Sequence, residues 1–437
     1  MARKSKPCKY DRGYQIGGKA ETVSLNKKHI ISWAFFDFAN SSYSAVIAAV
    51  VFPVYYANVI VGNQAGLGDL WWGRAISFSM ALVALSSPLL GGIADYGGYR
   101  KKFLFLYTAL SVAAVASFSF LEKGMIIEGF VLASIANLGM EGGLVFYNSF
   151  LPRIAPEEYQ GRVSAWGFMV GYAGSIISLL IALPLVKSGN YSATWLMVAA
   201  FFAVFSMPAF IFLPGDVKGD SMMRSGIKGL RYSMAALKEI WKREEPRKFL
   251  FSYMIYEDGV NTVIVFSSIF AAVTLGFAPQ ELILLYLVVQ TTALLGSLAM
   301  AKPIDLWGPK RIVILSLLMW TSVAIIAFFV QTKSHFWFLA VIAGLGLGTV
   351  QAASRAFYTQ FIPQGSEAEY FGAYSLVGKS SAVLGPLIFG YVSTTFGSQR
   401  PAILSVAAFF LVGLVILSFV RGGGPNMKSA RKNEPGN

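Results

Sequence analysis

Cysteine and histidine are almost missing from this 437-residue sequence, which has one cysteine, Cys8, and two histidines, His29 and His335. A single thiol excludes an internal disulfide framework, and the set is too small for a Cys/His metal centre. Nucleophile–base constellations have as little to draw on, so an integral-membrane enzyme is not expected and no cofactor is implied. No GxxxxGK[ST] phosphate loop occurs, which argues against an ATP-driven pump. The first 30 residues lack the apolar core of a cleavable signal peptide, so the first span is expected to be retained. Charge is the largest shortage: 13% of residues are charged, against about 25% in an ordinary soluble domain.

What fills the sequence instead is apolar. Hydrophobic residues make up 55% and mean hydropathy is +0.59. Runs of about 18–25 residues with almost no charge match the thickness of a hydrocarbon core. The expected fold is therefore an all-α polytopic membrane protein with twelve spans. They fall near 31–60, 73–94, 103–120, 125–151, 163–186 and 194–213, then 249–274, 281–301, 312–330, 336–362, 372–391 and 401–420. The organisation follows as a basic tail (1–30), a six-helix bundle (31–214), a linker (215–248), a second bundle (249–421) and a short tail (422–437). In the linker, Met223, Ile227, Leu230, Met234, Leu237 and Ile240 recur at helical spacing and predict an amphipathic helix on the membrane surface.

The net charge of +14 would suggest nucleic acid in a soluble protein, but here it sets topology instead. With a cytoplasmic N-terminus, 29 of the 36 Lys and Arg residues fall in the tails, the linker and the inner loops. Five fall outside: Arg74, Lys123, Lys187, Lys333 and Arg400. Both termini are thus expected in the cytoplasm.

The two halves repeat. Phe146-Tyr147-Asn148-Ser149-Phe150-Leu151-Pro152 aligns with Phe357-Tyr358-Thr359-Gln360-Phe361-Ile362-Pro363, 211 residues later, and Gly167 and Gly174 align with Gly378 and Gly385. Asp37-x-x-Asn40-Ser41 resembles Asp258-x-x-Asn261-Thr262 at an offset of 221. Six spans per half is an even number, so the repeat is parallel, as in carriers whose two bundles rock about a central site.

Two motifs carry a family resemblance. Gly91-Gly92-Ile93-Ala94-Asp95-Tyr96-Gly97-Gly98-Tyr99-Arg100-Lys101-Lys102 resembles the signature loop of the major facilitator superfamily. Its glycines allow a tight turn, and Asp95 can cap a helix or pair with a base. The copy at Asp305-Leu306-Trp307-Gly308-Pro309-Lys310-Arg311 is degenerate and implies a weaker lock. The stretch Trp33-Ala34-Phe35-Phe36-Asp37-Phe38-Ala39-Asn40-Ser41-Ser42-Tyr43, with Tyr370-Phe371-Gly372-Ala373-Tyr374, is similar to the vacuole-effluxer-like branch. That resemblance implies the major facilitator fold, with helices 1, 4, 7 and 10 around a central cavity. It also implies a transporter with amino acids among its possible substrates, since fungal members export amino acids from the vacuole.

Ionisable residues inside spans cost at least ~2.5–3.5 kcal/mol each on insertion scales, so those present are candidate site residues. They are Asp37, Glu141, Glu257, Asp258, Arg355 and Lys379, all in spans 1, 4, 7, 10 and 11. Asp37 and Glu141 suit an ammonium group, and the planar fork of Arg355 suits a carboxylate. A buried carboxylate, Glu141 or Asp258, can carry a coupling proton. Asn40, Asn148, Asn261, Gln290 and Gln351 can supply neutral hydrogen bonds. Alternatively, Arg355 or Lys379 neutralises Glu257 or Asp258 in a structural pair.

The expectation is a rocker-switch secondary transporter of a small polar or zwitterionic solute, operating as an exporter with protons as a possible coupling ion. Its partners are that substrate and membrane lipids, with no nucleic acid; it is expected to be a monomer in a bacterial inner membrane. The competing readings are an exporter of amphipathic drugs or lipids and a non-transporting sensor or scaffold.

Overall fold

The computed structural model describes residues 26–155, 157–216, 219–362 and 367–421. Twelve helical stretches in it are long and apolar enough to cross a membrane, and the described residues contain no strand. The first half comprises α1 (Lys27–Val61), α2 (Leu67–Tyr96), α3 (Arg100–Ser117), α4 (Ile126–Asn148), α5 (Glu157–Lys187) and α6 (Tyr191–Phe212). The linker forms α7 (Met222–Lys242). The second half comprises α8 (Glu244–Leu275), α9 (Pro279–Trp307), α10 (Pro309–Phe329), α11 (Lys333–Thr359), α12 (Glu367–Ser380), α13 (Leu384–Phe396) and α14 (Gln399–Ser418). The protein is an integral membrane protein: outward-facing side chains such as Leu85, Phe105, Ile211, Leu298 and Val415 are more than half exposed, which suits acyl chains rather than water.

The two halves pack alike. In the first, α1 lies on α5 and α6, and α4 on α2 and α3; in the second, α8 lies on α13 and α14, and α11 on α9 and α10. The repeated glycines do the same work in both. A Cβ on Gly167 would sit 2.6 Å from Trp33 of α1, and one on Gly378 would sit 3.0 Å from Tyr253 of α8. Gly174 abuts the Phe38 carbonyl, and Gly385 abuts Asp258 and Thr262. Small residues at these points let helices approach to backbone contact, where dispersion and polar contacts substitute for the hydrophobic effect inside lipid.

Two spans depart from regular helix. Tyr43–Val50 and Tyr56–Val61 of α1 are π-helical. Between them lies Pro53, whose missing N–H disrupts the usual ladder. The eleventh span, expected as one helix over 372–391, is broken: α12 ends at Ser380 and α13 begins at Leu384. Pro386 sits in the first turn of α13, where its lack of a donor is harmless, and it disfavours continuation of a helix into it.

Candidate functional site

The two bundles meet very differently at their two ends. At the end away from α7, α2 is pressed against α13. A Cβ on Gly73 would lie 2.3 Å from the Pro386 carbonyl, and one on Gly390 would lie 2.8 Å from the Asp69 carbonyl. Gly66 has a left-handed φ of 74° that favours glycine and places it against Ser393. At this seam Asp69 is fully buried and accepts four side-chain hydrogen bonds. Ser393 Oγ donates at 2.5 Å, Asn63 Nδ2 at 3.0 Å, and Gln399 Nε2 to both carboxylate oxygens at 2.9 Å. Ser393 and Gln399 belong to the opposite bundle, so the network fastens one bundle to the other. Thr394 Oγ1 adds a bond to the Gly66 carbonyl at 3.0 Å.

Toward the α7 end, exposed polar side chains point to a cleft between the bundles. Asn148 at the end of α4 is exposed, as are Gln351 and Arg355, one turn apart on α11. Polar residues on a helix that otherwise packs inside its bundle are tolerated at membrane depth when they line a water-filled cleft.

Between seam and cleft, one ion pair among the described residues crosses from bundle to bundle. Lys379 Nζ on α12 lies 2.8 Å from Glu141 Oε2 on α4 and donates to the Glu141 carbonyl oxygen at 3.2 Å. Lys379 therefore does not neutralise Glu257 or Asp258. The acids of α8 have other partners. Asp258 Oδ1 accepts from the Gly385 N–H at 2.8 Å, so it caps the new helix start created by the break in the eleventh span. Asn261 Nδ2 donates to Ser381 Oγ at 3.3 Å within the same break. Glu257 Oε1 accepts from Gln351 Nε2 at 2.6 Å, while its Oε2 is buried with no hydrogen-bond partner among the described residues.

Asp37 lies in the first bundle beside the small-residue face of α5, its carboxylate 3.3–3.5 Å from where Cβ atoms on Gly167 and Gly171 would be. Asn40 Nδ2 reaches it at 3.4 Å. Around it stand Tyr147, Tyr172 and Trp33, with Trp33 and Tyr147 stacked at 4.6 Å. The carboxylate thus sits beside three aromatic rings, surroundings that suit a cationic group. Arg355 has no ion pair among the described residues; it lies within electrostatic reach of Tyr374, which stacks on Tyr253 at 4.3 Å.

The signature loop is bound to the linker. Gly92 touches Gly229 of α7 at backbone distance, and Gly98 turns the chain with a φ of 68°. No neighbour crowds Gly91, and Gly308 turns the second copy with a φ of 85°. Arg100 is buried at 2% exposure. The cap on α3 comes from the linker: Asp216 accepts from the Lys101 N–H at 2.9 Å and the Lys102 N–H at 3.3 Å. The side chains of Asp95 and Asp305 lie outside the described residues.

Asp69, Ser393, Gln399 and Asp216 are functional candidates that sequence reading misses. An acid in the first turn of a helix is ordinary, and nothing in the sequence places it against a residue more than 300 positions away.

Comparison with known proteins agrees with this architecture. The family described as vacuole effluxer Atg22 like matches residues 73–423. A protein of Bacillus subtilis, described as an uncharacterized MFS-type transporter, YxiO, is 29% identical over 402 residues, covering 89% of this chain and 94% of the relative. Autophagy-related protein 22 of Gibberella zeae is 24% identical over 434 residues, covering 77% of this chain and 66% of the relative. Among solved structures, the nucleoside transporter NupG superposes with a TM-score of 0.68 at 13% identity, over 89% of this chain and 98% of that one. The human organic anion transporter MFSD10 gives a TM-score of 0.63 at 13% identity, over 90% and 99%. The chain is a transporter of the major facilitator superfamily and not an enzyme, and it belongs to the vacuole effluxer Atg22-like family.

Proposed function

We propose that the protein carries a small zwitterionic solute, with amino acids the leading class, by exchanging the far-end seam for the cleft at the α7 end. The observation that carries this reading is the Glu141–Lys379 pair, a carboxylate and an ammonium held 2.8 Å apart across the boundary between the bundles. A zwitterion can take the place of each partner for the other: its ammonium on Glu141 and its carboxylate on Lys379, with the exposed fork of Arg355 as a second anchor. Asp37, with its aromatic neighbours, is a second cation site on the same path. An uncharged amphipath gains nothing from opposite charges so arranged, which weighs against that substrate class.

The unpartnered Glu257 oxygen supports a proton-carrying role for that residue, in preference to Glu141, which is ion-paired, and Asp258, which caps a helix. A charged carboxylate oxygen buried without a donor is costly, and a proton relieves the cost. Orientation follows the charge count, which puts the α7 end in the cytoplasm; export, across a bacterial inner membrane, is the direction that membership of an effluxer-like family supports. The test is counterflow in proteoliposomes across amino acids, peptides, sugars and amphipaths. Amino-acid exchange, reduced about tenfold in Glu141→Gln and strongly reduced in Asp37→Asn at equal expression, is the expected result. Exchange of uncharged solutes only, or an unaffected Asp37→Asn variant, overturns the reading.

A further inference from the structure

Helix α7 has three faces rather than two. Ser225, Gly226, Gly229, Ala236 and Ile240 are buried. Of these, Ser225, Gly226 and Gly229 press on α2, so closely that a Cβ on Gly229 would lie 2.2 Å from the Gly92 Cα. This glycine contact fixes the rotation of the helix. The bulky stripe is therefore turned away from the protein, as an amphipathic surface helix requires: Met223 is 78% exposed, Met234 56% and Trp241 50%, with Ile227 and Leu230 exposed beside them, while Ile240, expected on the same stripe, is buried. About 100° further round lies a third stripe, Arg224, Lys228, Arg231, Lys238 and Lys242, all exposed. Asp220 and Glu239 pair with Lys228 and Lys242, at 3.8 and 3.0 Å. Arg224, Arg231 and Lys238 have no ion-pair partner among the described residues.

The position of α7 identifies what the bulky stripe meets. The helix crosses α2 at Pro88–Gly92, roughly 6 Å before α2 ends at Tyr96. There Gly226 packs on Leu89, which with Leu85 (78% exposed) belongs to the outward apolar surface of the bundle. The apolar surface of α2 thus continues onto the bulky stripe of α7, with the basic stripe at its edge.

We propose that α7 is a lipid-binding element: its Met, Ile, Leu and Trp stripe lies among the acyl chains of the adjoining leaflet, and Arg224, Arg231 and Lys238 hold acidic phospholipid headgroups. The occupant is an acidic phospholipid, because an apolar stripe edged by unpaired cations matches an acyl chain below an anionic headgroup. Because α7 contacts α2 of one bundle and both α8 and α12 of the other, lipid bound there touches both bundles at the open end of the cleft. At the end of α7, Arg243 Nη1 donates to the Tyr370 hydroxyl of α12 at 2.9 Å. The inference is independent of substrate and transport direction.

The test uses the full-length chain with Cys8→Ser and one spin-labelled cysteine at a time, in nanodiscs of phosphatidylcholine with or without phosphatidylglycerol. Labels at Met223, Ile227 and Met234 should collide with oxygen and be shielded from a water-soluble nickel chelate; labels at Arg224, Arg231 and Lys238 should show the opposite. In the second arm, a fluorophore at Met234→Cys is quenched by acyl-brominated phosphatidylglycerol or phosphatidylcholine. About fivefold enrichment of the acidic lipid is expected, and R224E/R231E/K238E should erase it while leaving the oxygen pattern intact. Nickel access at Met223 and Met234 overturns the proposal, since the stripe is then wet. Shielding from both reagents overturns it in favour of a second protein chain. Equal quenching by the two lipids overturns the headgroup assignment.

Discussion

The seam and the cleft are made from the same pair of bundles, yet their chemistry is opposite. At the seam, glycines at 66, 73 and 390 bring backbone to backbone, and the carboxylate of Asp69 has every hydrogen bond it needs from the partner bundle and from Asn63. At the cleft, Asn148, Gln351 and Arg355 stand exposed. The difference teaches where the free energy of this conformation resides. Closure at the far end is held by a few short-range contacts with no tolerance for added volume, whereas at the open end polar side chains stand exposed. A transporter needs both ends to be reversible, and a seam held by the neutral donors Ser393, Asn63 and Gln399 can be opened by water replacing them at Asp69.

Breaking the seam should have the largest effect. Asp69→Ala leaves Ser393, Gln399 and Asn63 without their acceptor, a loss of order 3–5 kcal/mol from the closed far end. Spin labels at exposed Leu67 and Tyr391, on either side of the seam, should move from a short to a long distance distribution; an unchanged distribution contradicts the latch. Gly73→Ala tests the same seam by volume. Its Cβ has no room beside the Pro386 carbonyl, and overpacking of this kind costs about 1–3 kcal/mol, enough to lower transport roughly tenfold.

The ion pair in between sharpens the comparison. Glu141→Gln and Lys379→Gln should each reduce solute exchange about tenfold, because each leaves a partly buried charge behind. The double variant should lose less than the product of the two, as coupled neighbours do; strict additivity in initial exchange rates would show that the pair is not a functional unit. A smaller and more selective effect belongs to Glu257→Gln. Counterflow should persist while stimulation by a pH gradient disappears, and persistence of that stimulation would remove Glu257 from the proton path.

The parts legible in the sequence were those for which membrane chemistry is expensive. Charges in apolar runs disclosed Asp37, Glu141, Glu257, Asp258, Arg355 and Lys379, because lipid tolerates such groups only for a reason. The parallel repeat was visible in Gly167 and Gly378, which contact equivalent helices in the two halves. Partners across the bundles were not legible. Lys379 could have met any of several acids, and the choice of Glu141 depends on how two separately folded bundles face each other. Asp69 was hidden by its ordinary position at a helix start. The break before α13 was signalled by Gly385-Pro386, but the apolar run around it reads as continuous helix. In α7 the hydrophobic period gave the helix and its outward stripe, apart from Ile240, but not the glycine contact of Gly229 with Gly92 that holds it there.

The central claim, that seam and cleft alternate, is tested most directly by measuring both in one preparation. Spin-label pairs at Leu67 and Tyr391 for the seam, and at Asn148 and Thr359 for the cleft, would be followed by pulsed electron resonance in proteoliposomes with and without transported solute. The account predicts reciprocal change: wherever the seam pair lengthens, the cleft pair shortens, and Asp69→Ala drives both in that direction. Seam and cleft distances that vary independently, or that lengthen together, would contradict it.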